Sequence, residues 1–227
     1  MIALVDYGAG NLTSVRKALS AIGANVWTPG VAGELARAHA IIVPGVGHFD
    51  STNALTEEWR AAIRTMVEDG VPLLGICVGL QWLFEGSEEA PGTKGFGVFK
   101  GCCFNLGGPS PGPSTSAKVK ADRPVPSPLK VPHVGWNSLT LNRSSHLMHG
   151  IENDAQVYFT HSYAAPVVAD TVAICEYGTP FSAAVERGRV SAVQFHPEKS
   201  GDTGLRILSN WLNMSRRNAG GAEADAF

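Results

Sequence analysis

The chain lacks the marks of several functional classes. Only 17% of its 227 residues are charged and the formal net charge is −2, with a pI near 6.4. It therefore carries no basic footprint for a nucleic-acid backbone or an anionic membrane. No apolar run approaches the roughly 18 residues needed to span a bilayer. The first residues, Met1–Asp6, have no basic leader region or cleavage site and read directly as a strand. There are four cysteines, Cys77, Cys102, Cys103 and Cys175, none in CxxC spacing and two of them adjacent, which is no disulfide framework. These absences predict a soluble cytoplasmic protein with no nucleic-acid or membrane partner. The seven histidines contain no HxxxH pair or Cys/His cluster, so neither a metal site nor a cofactor is expected. His133, His146 and His149 read as polar surface or loop residues.

What is present is a globular composition, 44% apolar, enough for one sizeable core. Ile2–Asp6 reads as a short strand followed by a glycine-rich turn. Leu12, Val15, Ala18, Leu19 and Ile22 recur at helical spacing, and Gly23 closes that helix. Strands are predicted at Ala24–Thr28, Ala38–Val43 and Val71–Ile76. Between the last two, Trp59, Ile63, Met66 and Val67 mark one face of a helix, and Leu80–Phe84 opens another. Short buried strands alternating with amphipathic helices predict an α/β fold: an open, mainly parallel sheet with helices on both faces. Later runs at Ser138–Leu141, Gln156–Phe159, Thr171–Tyr177, Ser182–Glu186 and Val190–Phe195 read as further strands. A smaller antiparallel strand region is expected beside the main sheet, and Gly204–Leu212 reads as a final helix.

Seven of the 14 prolines lie between Gly107 and Pro132, mixed with glycine and serine. Such a stretch buries too little apolar surface to offset its ordering entropy, so it reads as an insertion, about residues 104–130. A linker between two domains fits less well, because each flank is short for its own core. One domain over residues 1–214 and a flexible tail, 215–227, are expected.

Gly75-Ile76-Cys77-Val78-Gly79 follows one predicted strand and precedes a helix. That is the form of a nucleophile elbow with cysteine in the serine position. Glycines relieve the crowding of a sharp strand-to-helix turn, and the turn lifts the sulfur out at the carboxyl edge of the sheet, where open α/β folds bind ligands. A helix N-terminus beside the thiol favours the thiolate. His196-Pro197-Glu198 ends a later strand. Residues i and i+2 of an extended segment project to one side, so the carboxylate can orient the imidazole. Together these make a Cys/His/Glu nucleophilic set. Pro44-Gly45-Val46-Gly47 ends a strand on the same edge, where its backbone N–H groups can serve an oxyanion. Gly8-Ala9-Gly10-Asn11-Leu12-Thr13 has part of the form of a dinucleotide fingerprint. Thr13 replaces the third glycine, however, and no acidic residue follows before Glu34, so that reading is weak.

Gly75–Gln81 with Gln194–Glu198 resembles the class I (triad) glutamine amidotransferases. Four more segments, Asp6–Leu12, Pro44–Phe49, Pro132–Asn137 and Tyr158–Tyr163, are similar to the branch of that family that supplies glutaminase subunits to imidazole glycerol phosphate synthases. The resemblance runs from Ile2 to about Leu212, apart from the insertion, where the family has a compact connection.

The resemblance implies that Cys77 attacks the side-chain amide of glutamine, with His196 and Glu198 completing the triad. Oxyanion donors would come from Val78 and the Gly45–Val46–Gly47 strand end. Gln81, His161, Ser162 and Tyr163 would cradle the glutamine. It further implies that ammonia passes to a (β/α)8-barrel synthase partner, which makes imidazole glycerol phosphate and AICAR from PRFAR, with Asn11, Trp136, Tyr158 and Lys199 at the interface. Glycines on both sides of Val46 would let a peptide plane rotate and switch one oxyanion donor. A glutaminase serving another synthase, or a catalytically idle scaffold of the same fold, are the competing readings. Cys102 and Cys103 receive no role.

Overall fold

The computed structural model describes residues 1–108 and 129–216. Most of the expected insertion and the last residues of the expected tail therefore lie outside the described residues.

β1 (Ile2–Leu4), α1 (Leu12–Ala21), β2 (Val26–Trp27) and β3 (Ala40–Gly45) follow one another, and α2 (Glu57–Glu68) leads to β4 (Leu73–Cys77). α3 (Val78–Leu83) starts at the very next residue, then come β5 (Gly86–Ser87) and β6 (Cys102–Asn105). After the undescribed stretch, β7 (His133–Ser138), β8 (Thr140–Leu141), β9 (Gln156–His161) and β10 (Tyr163–Ala164) alternate with turns. β11 (Thr171–Tyr177), β12 (Thr179–Arg187) and β13 (Val190–Val193) precede α4 (Gly201–Arg216).

Eight strands form the main sheet in the order β2-β1-β3-β4-β13-β12-β11-β8. The first five are parallel, and β12, β11 and β8 add antiparallel pairs at one side. Every residue of β3, β4 and β13 is buried. Because successive side chains of a strand point to opposite faces, this burial means that both faces are covered. The apolar runs Ala38–Val43 and Val71–Ile76 thus lie in β3 and β4 at the centre of the sheet, with β13 from the later strand runs parallel beside β4. Trp82, Trp211, Phe84, Phe99, Phe159 and Phe195 are among the largest fully buried side chains around it.

Two differences from the sequence reading matter for the site. The run Ser138–Leu141 is not one strand: Ser138 ends β7 and Thr140–Leu141 forms β8, in separate sheets. β7 was legible only as the motif Pro132–Asn137, since a glycine at its centre and alternating polar residues hide its β character. It pairs antiparallel with β9, placing His133 opposite His161 and Trp136 opposite Tyr158. The expected start of the insertion is also displaced, because Phe104 and Leu106 are buried core residues and Phe104 lies in β6. β5, β6 and β10 make a separate small sheet. On the far side of the undescribed stretch, the Lys130 carbonyl accepts from the Tyr177 hydroxyl at 2.6 Å.

Candidate active site

β4 ends at Cys77 and α3 begins at Val78, so the sulfur stands on a one-residue turn. Cys77 has φ 55° and ψ −109°, a backbone region that costs a non-glycine residue on the order of 1–3 kcal/mol. The neighbouring glycines are required by close approach. A Cβ on Gly75 would stand 2.6 Å from the Gly79 carbonyl oxygen, and one on Gly79 would overlap the Val43 carbonyl oxygen. The strand-turn-helix packing thus has no room for a side chain at Gly75 or Gly79, two positions to either side of Cys77.

β13 runs parallel beside β4 and delivers Gln194, Phe195 and His196 to the same edge. Pro197–Lys199 then makes a 3-10 turn, which folds Glu198 back onto the ring: His196 Nδ1 lies 2.8 Å from Glu198 Oε1. The two side chains are only 2% and 1% exposed. Burial by itself lowers the basicity of His196. The nearby Cys77 sulfur and the hydrogen-bonded Glu198 carboxylate outweigh it and raise the imidazole pKa. With Nδ1 engaged by the carboxylate, Nε2 is left for the sulfur side and for a substrate.

The cavity in front of Cys77 measures about 250 Å³ and is lined by Val46, Gly47, Val78, Gln81, Glu89, Pro132, Thr160, His161, Ser162 and Tyr163. That is below the usual range for drug-sized ligands, about 300–1,000 Å³, and suits one amino acid. The predicted glutamine contacts Gln81, His161, Ser162 and Tyr163 all meet here. Gln81 Nε2 donates to the Tyr163 carbonyl at 2.9 Å and to Gln194 Oε1 at 3.3 Å. Both amide hydrogens are thereby spent, which leaves the Gln81 carbonyl as its free polar group. Glu89, which sequence reasoning missed, brings a carboxylate to the cavity wall while its Oε2 accepts from Phe49 N at 2.7 Å. No motif distinguished it from its neighbours in the acidic pair Glu88-Glu89.

The Gly45–Gly47 strand end borders the site, with Gly45 in register beside Cys77. Val46 N–H, however, donates to the Ala9 carbonyl at 3.1 Å. In this conformation it is committed to the β1–α1 loop and does not serve the cavity.

His133 corrects the sequence reading. It is a core residue, 3% exposed, stacked on Tyr177 at 4.0 Å and Phe159 at 4.8 Å. Its hydrogen bonds fix the tautomers of a buried chain. His161 Nδ1 is 2.9 Å from the Tyr163 carbonyl, which can only accept, so that nitrogen carries the proton. His161 Nε2 is then the acceptor for His133 Nδ1 at 3.1 Å, and His133 Nε2 faces the Asn137 amide at 3.4 Å. Burial pushes both imidazole pKa values down, to about 4 for His133 and about 3 for His161, and both rings are neutral near pH 7. His146 and His149 are exposed, as expected.

Of the four expected interface residues, the structure gathers three. Trp136 is 56% exposed and meets Tyr158 edge-to-face at 6.1 Å, while Lys199 Nζ stands 5.8 Å from the Tyr158 ring centroid. Val134, equally exposed on β7, was not foreseen. Asn11 is engaged in capping α1, accepting from Ser14 N at 3.3 Å.

The chain matches the family described as Glutamine amidotransferase class-I over residues 3–214. It is 44% identical over 219 residues to the Imidazole glycerol phosphate synthase subunit HisH of Geobacillus kaustophilus, covering 95% of this chain and 97% of that protein. The protein of the same name from Deinococcus radiodurans is 41% identical over 214 residues, 92% of each. Among solved structures, one described as a glutamine amidotransferase superposes with TM-score 0.67 at 19% identity, over 95% of this chain and all of that one, which is a likeness of fold.

Proposed function

The chain belongs to the class I glutamine amidotransferases, and from that premise we propose that it is the glutaminase subunit of an imidazole glycerol phosphate synthase. It hydrolyses glutamine to glutamate and ammonia, and hands the ammonia to a (β/α)8-barrel synthase subunit. The observation that carries this reading is Cys77, held at a strained elbow over an amino-acid-sized cavity, with the buried His196–Glu198 pair delivered to the same sheet edge by the adjacent strand β13.

The thiolate of Cys77 attacks the side-chain carboxamide carbon of glutamine. Negative charge moves to the carboxamide oxygen, where the N–H of Val78, a free donor in the first turn of α3, meets it. His196, protonated by then, gives its proton to the departing nitrogen, and ammonia leaves. The glutamyl thioester is cleaved when His196 takes a proton from water, and glutamate is released with the thiol restored. Glu198 holds the ring in orientation and offsets the imidazolium charge. Gln81 and Glu89 offer acceptor oxygens to the substrate ammonium, and the backbone of Ser162 and Tyr163 closes the cavity.

A second oxyanion donor has to come from the strand end at Gly45–Gly47. Val46 N–H reaches that role once it leaves the Ala9 carbonyl, and one lost donor of this kind costs about 10²–10³ in rate. The isolated chain is accordingly a slow glutaminase, and docking of the barrel subunit on the surface of Trp136, Tyr158 and Lys199 shifts the peptide equilibrium.

The test is glutamate release measured for the chain alone, with a barrel-type synthase, and with that synthase and its nucleotide. Turnover rises in that order. Cys77→Ala abolishes glutamine-dependent synthesis and spares ammonia-dependent synthesis by the partner. Glutamine still serving as nitrogen donor after that change would exclude the thioester route.

A further inference from the structure

The sulfur of Cys77 has two neighbours outside the triad, the Thr160 carbonyl at 4.0 Å and the side-chain amide of Gln194. Gln194 is fully buried, and its Nε2 lies 3.7 Å from Cys77 Sγ. The amide cannot be turned around. Its Oε1 receives a hydrogen from Gln81 Nε2 at 3.3 Å, and Gln81 is itself held because Tyr163 offers only a carbonyl, at 2.9 Å. Reversing Gln194 would set two N–H donors against each other and an amide oxygen against the thiolate. The same Tyr163 carbonyl also accepts from His161 Nδ1, so two donors hold it in place. From Gln81 through Gln194 the donors thus run in one direction and end on the sulfur.

We propose that Gln194 is a further catalytic residue, whose side-chain N–H donates to the Cys77 thiolate and holds it in the deprotonated state. A buried thiolate has few partners, and a hydrogen bond to a charged acceptor is about twice as strong as one between neutral groups. As the thioester forms, the sulfur loses its charge and the bond weakens. Gln194 therefore stabilises the resting nucleophile and does not impede ammonia release. The inference rests on the reading of Cys77 as nucleophile.

The test uses the full chain and iodoacetamide, with carboxamidomethylation of Cys77 followed by peptide mass spectrometry across pH. Two variants are compared with the parent. Gln194→Met keeps the approximate shape and removes the donor. Gln194→Glu exchanges one atom, keeps the acceptor for Gln81, and sets an oxygen against the sulfur. In both, Cys77 alkylates more slowly near neutral pH, by roughly tenfold to a hundredfold, the range expected for a hydrogen bond to a charged group. The midpoint of the alkylation profile moves to higher pH in both, while Cys102, which is exposed, reacts at the parental rate. Folded variants that alkylate Cys77 at the parental rate with the parental pH midpoint overturn the role of Gln194. A parent in which alkylating Cys77 leaves glutamine hydrolysis intact would instead overturn the nucleophile assignment, so the two failures are distinguishable.

Discussion

The backbone amide of His196 donates to the carbonyl of Tyr158 at 2.9 Å. Tyr158 N in turn donates to Ser200 Oγ at 3.0 Å, and that hydroxyl donates to the His196 carbonyl at 2.6 Å. The aromatic face formed by Trp136 and Tyr158 is therefore one residue-to-residue step from the buried imidazole. The proposed docking surface and the backbone of His196 thus share hydrogen bonds.

Trp136→Ala tests the surface. The side chain is more than half exposed, so its removal changes folding stability by no more than about 0.5 kcal/mol. Affinity for the barrel-type synthase, measured by calorimetry, falls by roughly 30-fold or more, the 2 kcal/mol expected of an aromatic hot spot. Unchanged affinity would move the interface elsewhere.

Glu198→Gln removes charge while leaving the shape of the buried pair. His196 loses the carboxylate that raises its pKa, and kcat for glutamine falls on the order of 10²–10⁴, the span of general acid–base catalysis. KM changes little, because Glu198 does not line the cavity. A variant with parental kcat would remove Glu198 from the triad.

Gly79→Ala sets two effects against each other. Alanine in place of glycine favours a helix by about 1 kcal/mol, but its Cβ falls on the Val43 carbonyl oxygen. Backbone cannot yield as a flexible side chain does, and overpacking of this kind costs typically 1–3 kcal/mol or more. The overlap wins. Urea unfolding shows a lower midpoint for the variant, and a midpoint at or above the parental value would mean that α3 and β3 are less tightly packed than described.

His133→Phe addresses pH. Because the folded protein depresses the pKa of His133 from 6.5 to about 4, the unfolded chain binds the additional proton below about pH 6.5. Stability from this group is full above that pH and is lost as pH falls toward 4, with a maximum slope of about 1.4 kcal/mol per pH unit for one proton. His161 behaves alike over a window reaching about pH 3. Phenylalanine keeps the stack on Tyr177 and Phe159 but leaves the His161 acceptor unpaired. The variant is less stable at pH 7 by about 1–3 kcal/mol and loses less on acidification. Parallel stability curves for parent and variant between pH 6.5 and 4 would refute the assignment.

Local chemistry made much of this protein legible before any coordinates. Apolar runs between amphipathic helices specify a sheet covered on both faces, and β3 and β4 are buried throughout, as such runs require, whereas only the tertiary structure placed β13 beside β4. The elbow Gly75–Gly79 was equally legible, because a cysteine at a strand-to-helix turn demands glycines beside it whatever else surrounds them. Other features depend on contacts between distant segments, and no local pattern announces those. His133 reads as a loop histidine until β7 is laid against β9 and two aromatic rings close over it. Gln194 reads as a strand residue until Gln81, 113 positions earlier, fixes which end of its amide meets the sulfur. Glu89 enters the cavity wall only through the packing of its loop. The commitment of Val46 N–H to Ala9 is likewise invisible in either segment alone. Covalent neighbours determined which groups stand on the sheet edge; only long-range packing decided which of their donors and acceptors face one another, because hydrogen-bond direction is set by the partner across the gap.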